Sequence, residues 1–508
     1  MSPAFAEAVA ELPALVRAHL LLSGSAVGIG VLLGLPLAIL SARHARVRTP
    51  VLGLAGLVQT VPALALLALF YPALLIVGRA TGLAIPALGF LPALIALSLY
   101  ALLPIVRNAV AALQGIDPGV LEAADGLGMT ARQRLTLVEL PLGAPVILAG
   151  IRTASVWTIG AATLATTVGQ PSLGDLIFSG LQTENWVRVL TGCAAAAALA
   201  LAVDGLLALV ESGLRHRSRR RIRLGLAVLV AALGLALAPD PRGAGGETIV
   251  IGAKNFSEQY ILASAIERRL RAAGYRTERR DNLGSTVAYQ ALAAGDIDVY
   301  VDYSGTLWTN ILRRADTPPP EAMRAELATR LRERDGVLLL GPLGFENAYA
   351  LAMRRPRAEA LGVRTLDDLT RAAPRLHLAA DLEFLTRPEW RSVRSRYRLR
   401  FAGQRSYSPT FMYRAVADGS ADVITAFSSD GRVAALDLVT LADPRRALPS
   451  YDAVLLAAPG TDRRVVDALR PLIGAITVER MRRANLMVDR DADKRTPAEA
   501  ARWLDPAP

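Results

Sequence analysis

Up to about residue 240, long apolar runs alternate with short charged segments. A bilayer-crossing helix needs about 20 apolar residues. Six stretches meet or approach that length: Leu20–Leu40, Val51–Val77, Leu83–Val106, Pro145–Val168, Val189–Leu209 and Ile222–Ala238. The last is short, and Arg223 at its start is expected to snorkel toward the surface. Too little polar chain remains in this half to enclose six buried core helices, so the pattern predicts membrane spans. From Glu247 the periodicity changes. Thr248–Ile251, Ile297–Tyr303, Leu376–Ala380 and Asp422–Phe427 read as buried strands. Ser257–Ala273, Thr286–Ala294, Glu321–Glu333 and Pro409–Asp418 read as helices. The fold class that follows is a helical membrane domain of about six spans, then an α/β domain of two lobes. The expected boundaries are 1–239 for the membrane domain, 240–247 for a linker and 248–508 for the α/β domain. Lobe 1 is placed at about 248–345 and 455–508, lobe 2 at about 346–454.

Charge sets the expected orientation. Arg43, Arg46 and Arg48, then Arg107 with Arg132 and Arg134, then the run Arg215–Arg223 follow the first, third and fifth spans. All three loops fall on one side, which the positive-inside rule makes cytoplasmic. The N-terminus and everything after Ala238 are then expected outside. The first residues include Glu7 and Glu11 and lack a basic n-region, so no cleavable signal peptide is expected there. The sixth span imitates one, but Pro239 follows its Ala-Leu-Ala triplet, and the span is read as an uncleaved tether.

Composition removes several function classes. The chain has 508 residues with 52% hydrophobic content and a net charge of +12. That excess is spread evenly over both halves, and only Lys254 and Lys494 are lysines, so no nucleic-acid-binding stripe is expected. A single cysteine, Cys193, and four scattered histidines leave no metal-ligand spacing. No Ser/His/Asp set or paired carboxylates suggest an enzyme, and no G-x-x-x-x-G-K-[ST] loop is present, so any ATP hydrolysis would belong to another chain.

An internal repeat supports two lobes. At a shift of 124 residues, Tyr289–Ser304 aligns with Tyr413–Ser428. Each copy reads as a helix, a glycine turn (Gly295, Gly419), an apolar strand and an aromatic-Ser pair, the aromatics being Tyr303 and Phe427. Ligands of parallel α/β sheets sit outside the carboxyl ends of strands, so the repeat puts one aromatic from each lobe on facing walls of a cleft.

The segment Glu122-Ala-Ala-Asp-Gly-Leu-Gly through Leu140-Pro141 resembles the EAA-loop signature of ABC-importer permeases. Glu122, Ala123, Ala124, Gly126 and Pro141 carry the match. The resemblance implies a type I importer permease whose cytoplasmic coupling helix, within 122–141, docks on an ATPase subunit. Gly126 and Gly128 are expected to break the helix, with Gly126 in a bend that no Cβ would fit. Gly150-Ile-Arg-Thr-Ala, Ile159–Ala165 and Gly174-Asp-Leu-Ile resemble the compatible-solute branch of these permeases. Arg152 and Asp204 fall within or beside spans and are read as a snorkelling or helix-pairing couple.

The second half resembles extracytoplasmic binding proteins for glycine betaine, choline, carnitine and related osmoprotectants, the ergothioneine importers included. Gly252–Gln259, Gly284-Ser-Thr, Asp296–Thr306, Gly344–Leu351 and Ala426–Gly431 carry it. The resemblance implies hinges near Leu343–Ala350 and Pro449–Val454, with Asn347 and Tyr349 at the cleft floor. It also implies a quaternary-ammonium solute. Such a group cannot donate hydrogen bonds and is held by aromatic faces, for which Phe256, Tyr303, Tyr349, Phe384, Tyr407 and Phe427 are the candidates. A carboxylate on the solute would need donors: Asn255, Gln259, Thr306 or Arg387. Relatives commonly carry Tyr where Phe427 stands, which keeps a larger or flatter solute, such as ergothioneine, among the alternatives. The implied assembly is two copies of this chain with two ATPase subunits in a bacterial inner membrane. ATP and Mg sit on the partner, and no cofactor is expected in this chain. A membrane-tethered solute receptor is the alternative from another class, and it leaves the EAA loop without a task.

Overall fold

The computed structural model describes residues 3–83, 85–237, 248–490 and 492–505. The 240–247 linker, and Ala238 of the Ala-Leu-Ala triplet, lie outside the described residues. The chain divides into two compact units, one helical and one α/β.

The helices before the α/β unit's strands are α1 (Pro3–Arg43), α2 (Ala45–Thr60), α3 (Ala63–Thr81), α4 (Phe90–Gln114), α5 (Pro118–Gly126), α6 (Ala131–Arg134), α7 (Leu140–Ala162), α8 (Gly174–Gln182), α9 (Trp186–Arg215) and α10 (Arg219–Leu237). They make up the helical unit, except that Phe178–Trp186 groups with the α/β unit. Among the described residues, four helical stretches are long and apolar enough to cross a membrane: Phe5–Arg43, Phe90–Gln114, Ala131–Val168 and Trp186–Arg215. Two of the six expected spans differ in form. Val51–Val77 is not one straight helix: α2 and α3 meet at 101°. Val61 and Pro62 fall at the break, where the proline nitrogen has no hydrogen to continue the helix. α10 opens with Arg219, Arg220, Arg221 and Arg223, so its uncharged run is only Leu224–Leu237, short of a full crossing. The third span also begins later than expected. Leu83 and residues 85–89 stay outside any helix, and Gly82 caps α3 in the left-handed region at φ 70°.

α4 and α7 pack at the middle of this unit. A Cβ on Gly150 would stand 2.6 Å from the Asn108 Cβ and 2.8 Å from the Pro104 carbonyl oxygen. A missing side chain is what lets these backbones approach, as small residues do between helices in lipid.

The α/β unit holds two five-stranded sheets. Its strands are β1 (Thr248–Lys254), β2 (Arg276–Leu283), β3 (Val299–Tyr303), β4 (Leu338–Glu346), β5 (Tyr349–Arg354), β6 (His377–Asp381), β7 (Gly403–Tyr407), β8 (Val423–Phe427), β9 (Leu438–Thr440) and β10 (Asp452–Ala457). The first sheet runs β2-β1-β3-β10-β4 and the second β7-β6-β8-β5-β9. In each, the first three strands are parallel, and the fourth comes from the crossing segment and runs antiparallel. The repeat is therefore topological. β3 and β8 hold the same place in their sheets, and Gly295 and Gly419 take φ of 79° and 81° after the preceding helices. The chain passes between sheets twice, from β4 to β5 and from β9 to β10.

β3 and β10 are buried almost throughout, as strands covered on both faces should be. β2 and β7 lie at sheet edges and read Arg-Thr-Glu-Arg-Arg-Asp-Asn-Leu and Gly-Gln-Arg-Ser-Tyr. Neither shows as an apolar run in the sequence.

Candidate functional site

The cleft of the α/β unit is built where β1, β3 and β8 end and where β4 passes into β5. Phe256 follows β1, Tyr303 closes β3, Tyr349 opens β5 and Phe427 closes β8. Phe256 stacks at 6.2 Å from Tyr303 and at 6.5 Å from Phe427, where the ring planes differ by 5°. Tyr349 stands 5.0 Å from Phe427 and 4.8 Å from Phe384. Register explains the gathering: Tyr349 pairs directly with Phe427 across β5 and β8. The two repeat aromatics share one cavity with Asn255, Phe256, Thr306, Asn347, Tyr349 and Arg387.

Three expected contact residues sit elsewhere. Tyr407 packs into the second sheet's own core beside Met412, Tyr413 and Val416 and does not line the cavity. It ends β7, an edge strand one position too far from β8. Phe384 is buried behind Tyr349 and supports that ring. Gln259 is buried too, and its Nε2 donates to the Tyr303 hydroxyl at 3.0 Å.

Arg387 lines the cavity but is not a free donor. Its Nε and Nη2 bind Glu389 at 3.0 and 2.8 Å, and its Nη1 binds Glu383 at 2.8 Å. Its guanidinium also lies 5.2 Å from the Tyr349 ring. Tyr451 donates to the same Glu389 oxygen at 2.5 Å. A carboxylate arriving at Arg387 would have to compete with two acids already in place. The Asn255 side chain, exposed at the cavity wall, is the more accessible amide.

Glu258, one position before Gln259, was missed as a site residue. It is buried and accepts four hydrogen bonds from four different segments. Tyr303 Oη donates at 2.6 Å and Asn347 Nδ2 at 3.0 Å to one oxygen; Ser429 Oγ at 2.5 Å and Asn485 Nδ2 at 2.9 Å reach the other. Tyr303 belongs to the first sheet, Ser429 follows the second, and Asn347 lies on the crossing between them. Burial pushes the Glu258 carboxyl above the usual carboxylate range, and the four donors pull against that shift. Burial, then the neighbouring Glu258, holds the Tyr303 hydroxyl well above its ordinary value, so it stays a donor. Its signal in the sequence is weak, because an acid before Gln259 on a helix start reads as an ordinary first-turn charge.

In the helical unit, the EAA segment forms a hairpin of two helices. Asp117 caps α5 by accepting from the Gly119 amide at 2.7 Å. α5 therefore starts before Glu122, and Glu122, Ala123 and Ala124 lie within it. Gly126 is its last residue, has no positive φ, and a Cβ there would meet nothing within 4 Å. The expectation of a bend at Gly126 that excludes a side chain is thus corrected. The left-handed residue is Gly128, at φ 74°. Thr130 and Gln133 form a capping box that starts α6. A π turn over Leu135–Glu139 then leads into α7, directly before Pro141, whose ring nitrogen cannot donate to the preceding turn. Arg134 ties the hairpin, with Nη1 on Asp125 at 2.8 and 2.7 Å and Nε on Glu139 at 2.9 Å.

A two-sheet domain with an aromatic cleft where its strands end, preceded by apolar helices with a capped hairpin, defines a class: a solute-binding protein and its permease in one polypeptide. The chain belongs to the family described as the substrate binding domain of ABC-type glycine betaine transport systems, matched over residues 247–505. Residues 30–216 match the binding-protein-dependent transport system inner membrane component. Among curated relatives, the ergothioneine transport permease/ergothioneine binding protein EgtU of Helicobacter pylori is 27% identical over 87% of this chain and 80% of its own length. The osmoprotectant import permease protein OsmW of Salmonella typhimurium is 41% identical over 39% of this chain and 88% of its own. The choline transport system permease protein OpuBB of Bacillus subtilis is 38% identical over 40% and 88%.

Proposed function

We propose that this chain is the membrane-spanning and solute-capturing subunit of an ATP-driven importer, and that its solute carries a quaternary ammonium group. The observation that supports this is the meeting of Phe256, Tyr303, Tyr349 and Phe427 in one cavity whose charged rim includes Glu383 and Asp381. Each ring offers a methylated ammonium about 0.5–2 kcal/mol once water is displaced. Two copies of the chain would form the path across the membrane. The α5–α6 hairpin would rest on a separate ATPase, which carries ATP and Mg, and the α/β unit would face outside. Glycine betaine, choline and carnitine fit this chemistry. Ergothioneine, a betaine with a flat imidazole-thione, is the second reading. The likeness to the Helicobacter pylori ergothioneine protein extends over both halves of the chain and favours it.

Calorimetry on the detergent-solubilised chain against glycine betaine, choline, carnitine, proline betaine and ergothioneine tests the reading. At least one should bind, and Tyr303→Ala should weaken it tenfold or more. Binding of a solute without a quaternary nitrogen, and of none of these five, would overturn it.

A further inference from the structure

The even division of charge between the two halves of the chain conceals a local concentration in the α/β unit. From Trp390 to Ala417 there are seven arginines and no aspartate or glutamate. Four of them, Arg391, Arg394, Arg398 and Arg400, line one shallow groove with Ser395 and Leu399. All four are exposed. The groove lies on the second sheet's lobe, where the helix Pro388–Tyr397 ends and the chain turns toward β7.

Helix geometry explains the gathering. Arg391, Arg394 and Ser395 fall within about 100° of one another around the axis, while Arg396 points about 140° away from Arg391. Arg396 finds partners on that other side, the carbonyls of Arg445 and Arg446 at 3.0 and 2.8 Å. Among the described residues the guanidinium groups of the four groove arginines have no ion pair or hydrogen bond. Glu389, the nearest acid in the sequence, is buried and held by Arg387. Like charges three and four positions apart repel on a helix, so the cluster strains the element that carries it. A helix C-terminus favours basic residues in its last turn, which accounts for Arg394. It does not account for Arg400, which lies beyond the helix.

The kind of anion follows from the guanidinium fork and from the tether. Guanidinium groups match phosphate oxygens two at a time. α10 ends at Leu237 and β1 begins at Thr248, so no more than about 40 Å of chain holds the α/β unit to the last helix of the membrane domain. A phospholipid surface is then the phosphate-bearing partner at the highest effective concentration. We propose that the arginine groove docks on anionic phospholipid headgroups. The first sheet is held near the membrane through β1 by the chain itself, and the second sheet's lobe is held there by charge. The docking does not depend on which solute the cleft takes.

The test uses the whole chain in lipid nanodiscs, in a Cys193→Ala background, with a donor dye on Ser406→Cys and an acceptor dye on the lipid headgroups. Ser406 is exposed on β7, in the same lobe but outside the groove. Adding phosphatidylglycerol to phosphatidylcholine discs should raise energy transfer at least twofold. Salt at about 1 M, where the Debye length falls to about 3 Å, should reverse the gain. A donor on Thr329→Cys, exposed on the helix Pro320–Asp335 of the first sheet's lobe, should respond less. Arg391→Ala/Arg394→Ala/Arg400→Ala should remove the gain at Ser406→Cys while thermal unfolding stays at the parent value. Arg398→Gly, which eases a left-handed backbone at φ 52°, should weaken the gain with no loss of thermal stability. No gain with phosphatidylglycerol, an equal gain at both dyes, or a gain that survives the triple substitution would overturn the proposal. Reversal by inorganic phosphate at matched ionic strength would overturn it too, since the groove would then be a site for a soluble anion.

Discussion

Two buried acids in the α/β unit show how far a single side chain can be read. Glu258 is visible as a letter but not as a hub, because its four donors come from segments as distant as Asn485. The aromatic set was more legible. Tyr303 and Phe427 follow from the repeat, whereas Tyr407 was indistinguishable from them until the strand order put β7 at an edge. Arg387 reads in the sequence as a donor for a solute carboxylate, and only the fold reveals Glu389 beside it. Asp489 offers a pH test. Burial raises its carboxyl from 3.8 to about 6, with Arg432 opposing and Asp430 adding to the shift; Ser257 donates to it at 2.5 Å and Lys494 also faces it. The folded chain then holds this proton more tightly than the unfolded one. The contribution to stability is full below the unfolded value and is lost as pH rises through about 6. Asp489→Asn should flatten the change in stability between pH 4 and 6, read by thermal unfolding of the solubilised chain at several pH values.

Elements were legible where hydrophobic periodicity was strong and lost where backbone chemistry decided. The spans around α4, α7 and α9 are plain in the sequence. The α2–α3 bend is not, because a proline within an apolar run fits either a kinked span or a broken one. The arginine-rich edge strand β2 is hidden for the opposite reason: its pairing to β1 satisfies its backbone while its side chains stay half-exposed. In the EAA hairpin the two glycines separate cleanly. Gly128→Ala must adopt a left-handed φ and should cost about 1 kcal/mol, while Gly126→Ala meets no neighbour and should leave folding unchanged. Gly150→Val is the severe case. It drives a side chain into Asn108 and the Pro104 carbonyl, and a loss of about 1–3 kcal/mol is expected. Thermal unfolding of the three variants in detergent should leave Gly126→Ala at the parent value, lower Gly128→Ala slightly and lower Gly150→Val most.

At the scale of the whole molecule, the periodicity changes near residue 247, where β1 begins, and the repeat anticipates the matching order of the two sheets. Orientation rests on charge alone and so invites a direct measurement. Ser264, though a natural choice for an outer label, is buried and unsuitable. Ser406 is exposed on β7 and His216 is exposed after α9. In a Cys193→Ala background, Ser406→Cys should react with an impermeant maleimide on intact cells and His216→Cys only after lysis. Labelling of His216→Cys on intact cells would invert the topology.

The carboxylate of Glu258 acts as a keystone. It is the common acceptor for Tyr303, Asn347, Ser429 and Asn485, which come from four separate stretches of the chain. An alkyl group in its place would take an acceptor from all four at once, so the damage would spread to both sheets and the crossing between them rather than stay at one contact.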